Sequence, residues 1–219
     1  METAENPTRL HIAVMGANGG IGRQTVREAL NAGHHVTAIL RTPSKLILLH
    51  PNLKIVKGNI MNPETLETPL ENIDVVISAI GKSSFKPTEL YSDGNKNLMS
   101  AMQKMGVKRA FFISASGLDV NPTHSFLVRF ATKYILQKLL RNMYADIRIM
   151  EKNVKESGLN WTIMRPPRLT DGPVTGAYRV SINNILNNSL SISRADVADF
   201  MIKNIRNEEI YQKTIEIGY

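Results

Sequence analysis

The chain has 219 residues, of which 42% are hydrophobic and 21% charged, with a formal net charge of +8. This is the balance of an ordinary globular protein long enough to bury a core unaided. It has no cysteine, which excludes disulfides, thiolate nucleophiles and cysteine-bound metals. Residues 1–9 are polar and too short for a signal peptide, and no apolar run approaches the roughly 18 residues of a membrane span. The basic residues are scattered between apolar positions, so they read as solvated faces and as a field that steers a polyanionic small molecule, not as a nucleic-acid footprint. The expected class is a soluble cytoplasmic protein with no nucleic-acid or membrane partner.

In chain order, residues 9–15 (RLHIAVM) form a short apolar run that meets glycines abruptly, which predicts a buried strand. Helical spacing follows over 22–32 through Val26, Ala29 and Leu30, with Gly33 as the stop. Further strands are predicted over 35–40 (HVTAIL), 54–56, 74–80 (DVVISAI), 109–113 (RAFFI), 161–164 (WTIM) and 214–217 (TIEI). Helices are predicted over 91–105, closed by Gly106, and over 194–205 on a Val197, Phe200, Met201 stripe. The stretch 121–157 is too long for one plain crossover helix. It predicts a first helix bearing Phe126, Leu127, Phe130, Tyr134, Leu136 and Leu139, a break near Asn142, and a second helix ending at Gly158. The first of these is apolar on more than one face, which suits a lid, a subunit contact in a homodimer, or a helix of the ordinary core of a monomer.

Strands alternating with helices imply a parallel sheet covered on both faces, with ligands at the carboxyl ends of the strands. The reading is one domain over 1–219, with residues from about 160 onward forming the substrate side.

The strongest motif is GANGGIG at 16–22, directly after a strand and before a helix. Glycines in that place let the backbone turn tightly against a pyrophosphate, and the helix that follows aims its unpaired N–H groups at the phosphates. The motif makes the fold class α/β: a Rossmann-type doubly wound, mostly parallel sheet with helices on both faces. An NAD site wants an acid about 20 residues on, for the ribose 2′-hydroxyl. No Asp or Glu occurs between Glu28 and Glu64, and Arg41 stands in the acid's place with Ser44 and Lys45 close by. A guanidinium there suits a 2′-phosphate, so NADPH (NADP) is expected over NADH.

From His11 to Ile217 the sequence resembles the atypical short-chain dehydrogenase/reductases, in the subgroup of biliverdin reductase B and flavin reductase. The resemblance rests on GANGGIG, on VTAILR at 36–41, KGNI at 57–60, DVVISAIG at 74–81 and GVKRAFFISASG at 106–117. It rests most specifically on SGLNWTIMRPPRLTDGPVTGAY at 157–178 and ISRADVADFM at 192–201. The resemblance implies cofactor contacts from Gly16, Asn18, Gly19, Ile21 and Gly22, with the 2′-phosphate on Arg41 and Lys45. It implies an adenine contact at Asn59 and Ile60, where relatives usually carry an aspartate, and ribose contacts at Ile80 and Gly81. Ile113, Ser114 and Ala115 would line the nicotinamide, and Pro166 and Pro167 would shape the pocket. Relatives usually carry Ser or Thr where Ala115 stands, so the hydroxyls here, Ser114 and Ser116, fall on either side. Arg168 replaces the histidine of the biliverdin-reducing relatives; it suits an anionic substrate. Ser114, Ser116 and Arg168 are the candidate catalytic residues.

Orthodox members use Tyr-x-x-x-Lys as their proton-transferring pair. Two spacings qualify in form: Tyr134 with Lys138, and Tyr144 with Arg148. Either pair also reads as a core tyrosine beside a solvated base. The five histidines show no metal-ligand spacing, so no metal is expected. Two functions remain open: an NADPH-dependent oxidoreductase passing hydride to a flavin, a quinone or a similar conjugated acceptor, and a non-catalytic NADP(H)-binding redox sensor similar to the nitrogen-metabolite-repression (NmrA-type) regulators.

Overall fold

The structure is a computed structural model that describes residues 9–81 and 86–219. Most of the polar N-terminal stretch, residues 1–8, lies outside the described residues. The chain runs β1 (His11–Met15), α1 (Gly20–Asn31), β2 (His35–Leu40), β3 (Leu53–Lys57), β4 (Val75–Ser78), α2 (Ser92–Lys104) and β5 (Arg109–Ile113). A broken helical stretch follows: α3 (Phe126–Ala131), a π-helical segment (Thr132–Leu136), the single turn α4 (Gln137–Leu139), and α5 (Arg141–Lys155). The last third holds β6 (Asn160–Arg165), β7 (Arg168–Thr170), β8 (Arg179–Ile182), β9 (Ser191–Ser193), α6 (Arg194–Lys203) and β10 (Lys213–Gly218).

Eight strands form one sheet in the order β3-β2-β1-β4-β5-β6-β10-β8. All neighbours are parallel except β8, which closes one edge antiparallel to β10. β7 and β9 pair in a separate two-stranded parallel ribbon. Residues on a strand alternate between faces: Ile12 and Val14 of β1 join the core under α1 and α6, while Ala13 and Met15 join the core under α2 and α5. Both faces being covered, the central strands read as near-continuous apolar runs. The chain reverses its direction of sheet growth between β1 and β4, the crevice where such folds take ligands.

Three local features bound the helices around the sheet. Gly33 has φ +81° and ends α1 in a left-handed turn that a β-carbon would strain. Ser193 caps α6, its hydroxyl accepting from the Asp196 N–H. Leu140, at φ −100° and ψ 15°, breaks the helical stretch two residues before the expected Asn142.

The structure corrects the reading of 126–139 as a helix of the ordinary core. Phe126 and Leu127 are 76% exposed, and Phe130, Tyr134 and Leu139 about half exposed. The apolar spacing is real, but no part of the described chain covers it. The strands β7, β8 and β9 were not expected from the sequence, being only three or four residues long, with β8 largely exposed.

Candidate functional site

Two cavities open along the carboxyl ends of the strands. The first, about 270 Å³, lies at the crevice between β1 and β4. Its floor is the glycine loop. Gly16 has φ +81°, and a β-carbon there would sit 2.8 Å from the Ala79 carbonyl oxygen at the end of β4. Gly22 is held as tightly, since its β-carbon would sit 2.9 Å from the Gly16 carbonyl carbon. The Gly19 N–H closes the loop by donating to the Gly16 carbonyl at 2.9 Å. α1 then starts at Gly20 with no side-chain cap and no acid in its first turn. Its end therefore presents uncapped N–H groups and an uncompensated positive dipole. Asn18 is fixed by the Arg23 guanidinium, which donates to its Oδ1 at 2.7 Å. Ile21 and Gly22 are buried beneath the loop and support it from below.

The walls of this cavity are Arg41, Thr42 and Lys45 from the end of β2, Gly58 and Ile60 after β3, and Ile80 and Gly81 after β4. Arg41 and Lys45 are exposed, and neither pairs with a carboxylate among the described residues. Two cations beside a glycine loop, with no acid among the residues lining the cavity, fit a nucleotide that carries an additional phosphate. Asn59 does not line the cavity. Its Oδ1 accepts from the Met61 N–H and its own N–H donates to the Thr65 hydroxyl, a local turn that leaves Gly58 and Ile60 to form the wall.

The second cavity, about 560 Å³, is bordered by Ala115 and Ser116 after β5, Tyr144 of α5, Pro166, Pro167 and Arg168 after β6, and the inward face of the α3 stretch. Ser116 and Arg168 come together here. Ser114 does not reach it. Its buried hydroxyl donates to Glu151 Oε1 at 2.6 Å. Glu151 also receives Arg165 on both oxygens, at 2.8 and 2.6 Å, and Arg165 continues to Asp119 at 2.9 Å. Burial opposes ionisation of Glu151, but the hydrogen bonds and charge of Arg165, with the Ser114 hydroxyl, hold it below the usual carboxylate range. This network clamps the end of β5 to β6 and α5, and Ile113 precedes it at the end of the strand.

Neither tyrosine pair is assembled for proton transfer. Tyr134 is 53% exposed and stacks on Phe130 at 4.7 Å. Tyr144 is buried, with its hydroxyl against Gly117, where a β-carbon would come within 2.5 Å of it. Burial pushes its pKa up, the opposite of what a catalytic tyrosine needs near neutral pH. Arg148 gives its guanidinium to the Leu118 carbonyl and to Asp119 instead.

Several residues of the second cavity escaped the sequence reading. Glu216 is buried in its wall, accepts from the Leu186 N–H at 2.8 Å, and has its pKa raised by burial. His124 and Ser189 line the same space, while His124 Nε2 and Ser189 Oγ are themselves buried and without a hydrogen-bond partner among the described residues. Arg194 is the most consequential. It lines the second cavity, pairs with Asp171 at 2.8 Å, and crosses to the first turn of α1, where a β-carbon on Gly20 would lie 2.5 Å from its Nε. Its only signal in the sequence is its place directly after the helix cap Ser193. Among the described residues no cluster of acidic and histidine side chains could hold a metal ion, and no helix is long and apolar enough to cross a membrane.

Comparison with known proteins agrees with this geometry. The sequence profile of a family described as NAD(P)H-binding matches residues 16–208. The chain is 30% identical over 223 residues to the photosystem II assembly factor Ycf39 of Synechocystis, covering 95% of this chain and 62% of that protein. It therefore spans less than two thirds of that relative's length. It is also 30% identical over 231 residues to an uncharacterised chloroplastic protein of Arabidopsis thaliana, covering 98% of this chain and 79% of that one. Among solved structures, a short-chain dehydrogenase/reductase of Veillonella parvula in complex with NADP superposes with a TM-score of 0.76 at 20% identity, covering 96% of this chain and 94% of that one. With its glycine loop, its parallel sheet and the match over most of its length, the chain belongs to the NAD(P)H-binding family of Rossmann-fold proteins.

Proposed function

We propose that the protein is an NADPH-dependent reductase that passes hydride to a flavin, a quinone or a similar conjugated acceptor held in the second cavity. The observation that carries this reading is the pairing of two spaces along one sheet edge. One has Arg41 and Lys45 beside the glycine loop with no lining acid, and the other is larger and walled largely by apolar side chains. Arg194 lines the second and reaches the first turn of α1, directly after the glycine loop that floors the first. The nicotinamide supplies the hydride when bound. The chain's own part is to hold two ring systems together and keep water from between them, and such positioning accounts for much of the rate in reactions of this kind. Reduction of a conjugated ring requires no tyrosine–lysine pair, because solvent supplies the proton. Arg168 serves to orient the acceptor.

The test is NADPH consumption by the purified protein with FMN, riboflavin, a quinone and biliverdin, with NADH run beside each. Turnover with one acceptor, faster with NADPH, supports the reading and names the acceptor class. A second reading, a non-catalytic NADP(H)-binding protein that reports redox state to a protein partner, draws on the raised pKa of Tyr144, the outward-facing Tyr134 and the assembly-factor relative. Tight NADPH binding without turnover on any acceptor replaces the first reading with this one.

A further inference from the structure

The stretch 125–140 has two unlike faces. Val128, Thr132 and Leu136 turn inward and wall the second cavity. Phe126, Phe130 and Tyr134 are offset from them by two residues, about 200° around a helix, and so face the other way. Their rings form a continuous stripe, with centroids 6.4 and 4.7 Å apart. Leu127, Ile135 and Leu139, between 53% and 76% exposed, widen it. An apolar surface of this kind on an otherwise polar exterior marks an interaction site.

The charge around the stripe identifies the partner. Arg129, Lys133, Lys138 and Arg141 are all exposed and form no ion pair among the described residues. No carboxylate occurs in the sequence between Asp119 and Asp146. A second copy docked two-fold on this face would set these four cations against their own images with no acid from the same stretch to answer them. A bilayer with anionic headgroups answers both features at once. The acyl boundary takes the aromatic and aliphatic stripe, and the headgroups take the cations, as with amphipathic helices that lie in the interface.

We propose that the outer face of 125–140 docks the protein onto an anionic phospholipid bilayer. The contact is peripheral and needs no span. The expectation of no membrane partner rested on the absence of a span and does not bear on a face of this kind. The inference stands apart from the hydride-transfer reading and holds for a reductase or a sensor alike.

The experiment is co-sedimentation of the full chain with vesicles of phosphatidylcholine alone and of phosphatidylcholine mixed with phosphatidylglycerol. The expected result is pelleting with the mixed vesicles only, weakened by added salt. The double variant Lys133→Gln, Lys138→Gln is expected to bind about twenty-fivefold more weakly, about fivefold per cation removed. Phe126→Ser with Leu127→Ser is expected to abolish pelleting. These positions are exposed, so circular dichroism and the thermal midpoint should stay as in the parent, and a variant that fails this check is replaced by Phe126→Asn alone. Absence of pelleting with both vesicles overturns the proposal. Equal pelleting with both overturns the anionic requirement. A concentration-dependent dimer that Phe126→Ser with Leu127→Ser dissolves, in a protein that ignores vesicles, assigns the face to a second copy and overturns it too.

Discussion

Arg194 lies across Gly20, so close that a β-carbon on the glycine would stand 2.5 Å from the arginine Nε. The first residue of α6 thereby reaches the uncapped start of α1, anchored from the other side by Asp171 at 2.8 Å. A guanidinium in that place adds charge to an end of a helix that already favours phosphate. Arg194→Ala is expected to weaken NADPH and NADH alike, by about 1.5–3 kcal/mol, the range for a hydrogen bond to a charged group. Gly20→Ala should displace the same side chain at a stability cost under about 1 kcal/mol, because the atoms in the way belong to a flexible side chain. Calorimetric titration of the double variant should show little loss beyond that of Arg194→Ala alone, since both changes remove one interaction.

Gly22 behaves differently, because its neighbour is backbone. A β-carbon there would meet the Gly16 carbonyl group, which neither α1 nor β1 can move aside cheaply. Gly22→Ala is expected to lower the thermal midpoint and abolish binding of both nucleotides. Unchanged binding in a titration would mean that the loop does not hold the pyrophosphate.

What the sequence made legible, and what it did not, divides along the reach of the interactions. The first strand, the glycine loop and α1 were readable because each signal is local: an apolar run, glycines at fixed spacing, then helical periodicity. The absence of an acid between Glu28 and Glu64 likewise located Arg41 at the end of β2. The commitment of the Ser114 hydroxyl to Glu151, 37 positions away, and the crossing of Arg194 to Gly20 depend on how distant segments pack, which no periodicity encodes. The α3 stretch shows the same limit from the other side. Spacing revealed an apolar stripe on Phe126, Phe130 and Tyr134, but only the fold shows that the described chain leaves it uncovered. β8 was missed because an exposed edge strand of four residues buries too little to leave an alternating pattern.

The Ser114–Glu151–Arg165 network makes a prediction about acid stability. The folded pKa of Glu151 is lowered from its ordinary 4.5, so its ionised form stabilises the fold above that pH, and the contribution is lost as pH falls through the lower, folded value. Glu151→Gln is expected to cost about 3 kcal/mol at neutral pH, because the largely buried Arg165 loses its bidentate carboxylate and keeps only the half-exposed Asp119 as an ion-pair partner. The thermal midpoint of the variant should fall less steeply than that of the parent below pH 4.5. Ser114→Ala should cost about 1 kcal/mol with little change in turnover, since its hydroxyl is already engaged.

Tyr144 separates solvent protonation from a protein acid. Tyr144→Phe removes the hydroxyl in a buried wall of the second cavity and keeps the ring. If solvent supplies the proton, steady-state turnover with the best acceptor should stay close to that of the parent. A fall of about a hundredfold, the lower range for loss of a general acid, would make Tyr144 a catalytic residue.

The most direct test of the nucleotide assignment is a side-by-side calorimetric titration of NADPH and NADH into the parent protein and into Arg41→Asp. The parent should bind NADPH more tightly, and the variant should lose about 1.5–3 kcal/mol of NADPH affinity with a much smaller effect on NADH, since only the 2′-phosphate meets Arg41. An equal loss for both nucleotides would contradict the placing of the 2′-phosphate beside Arg41.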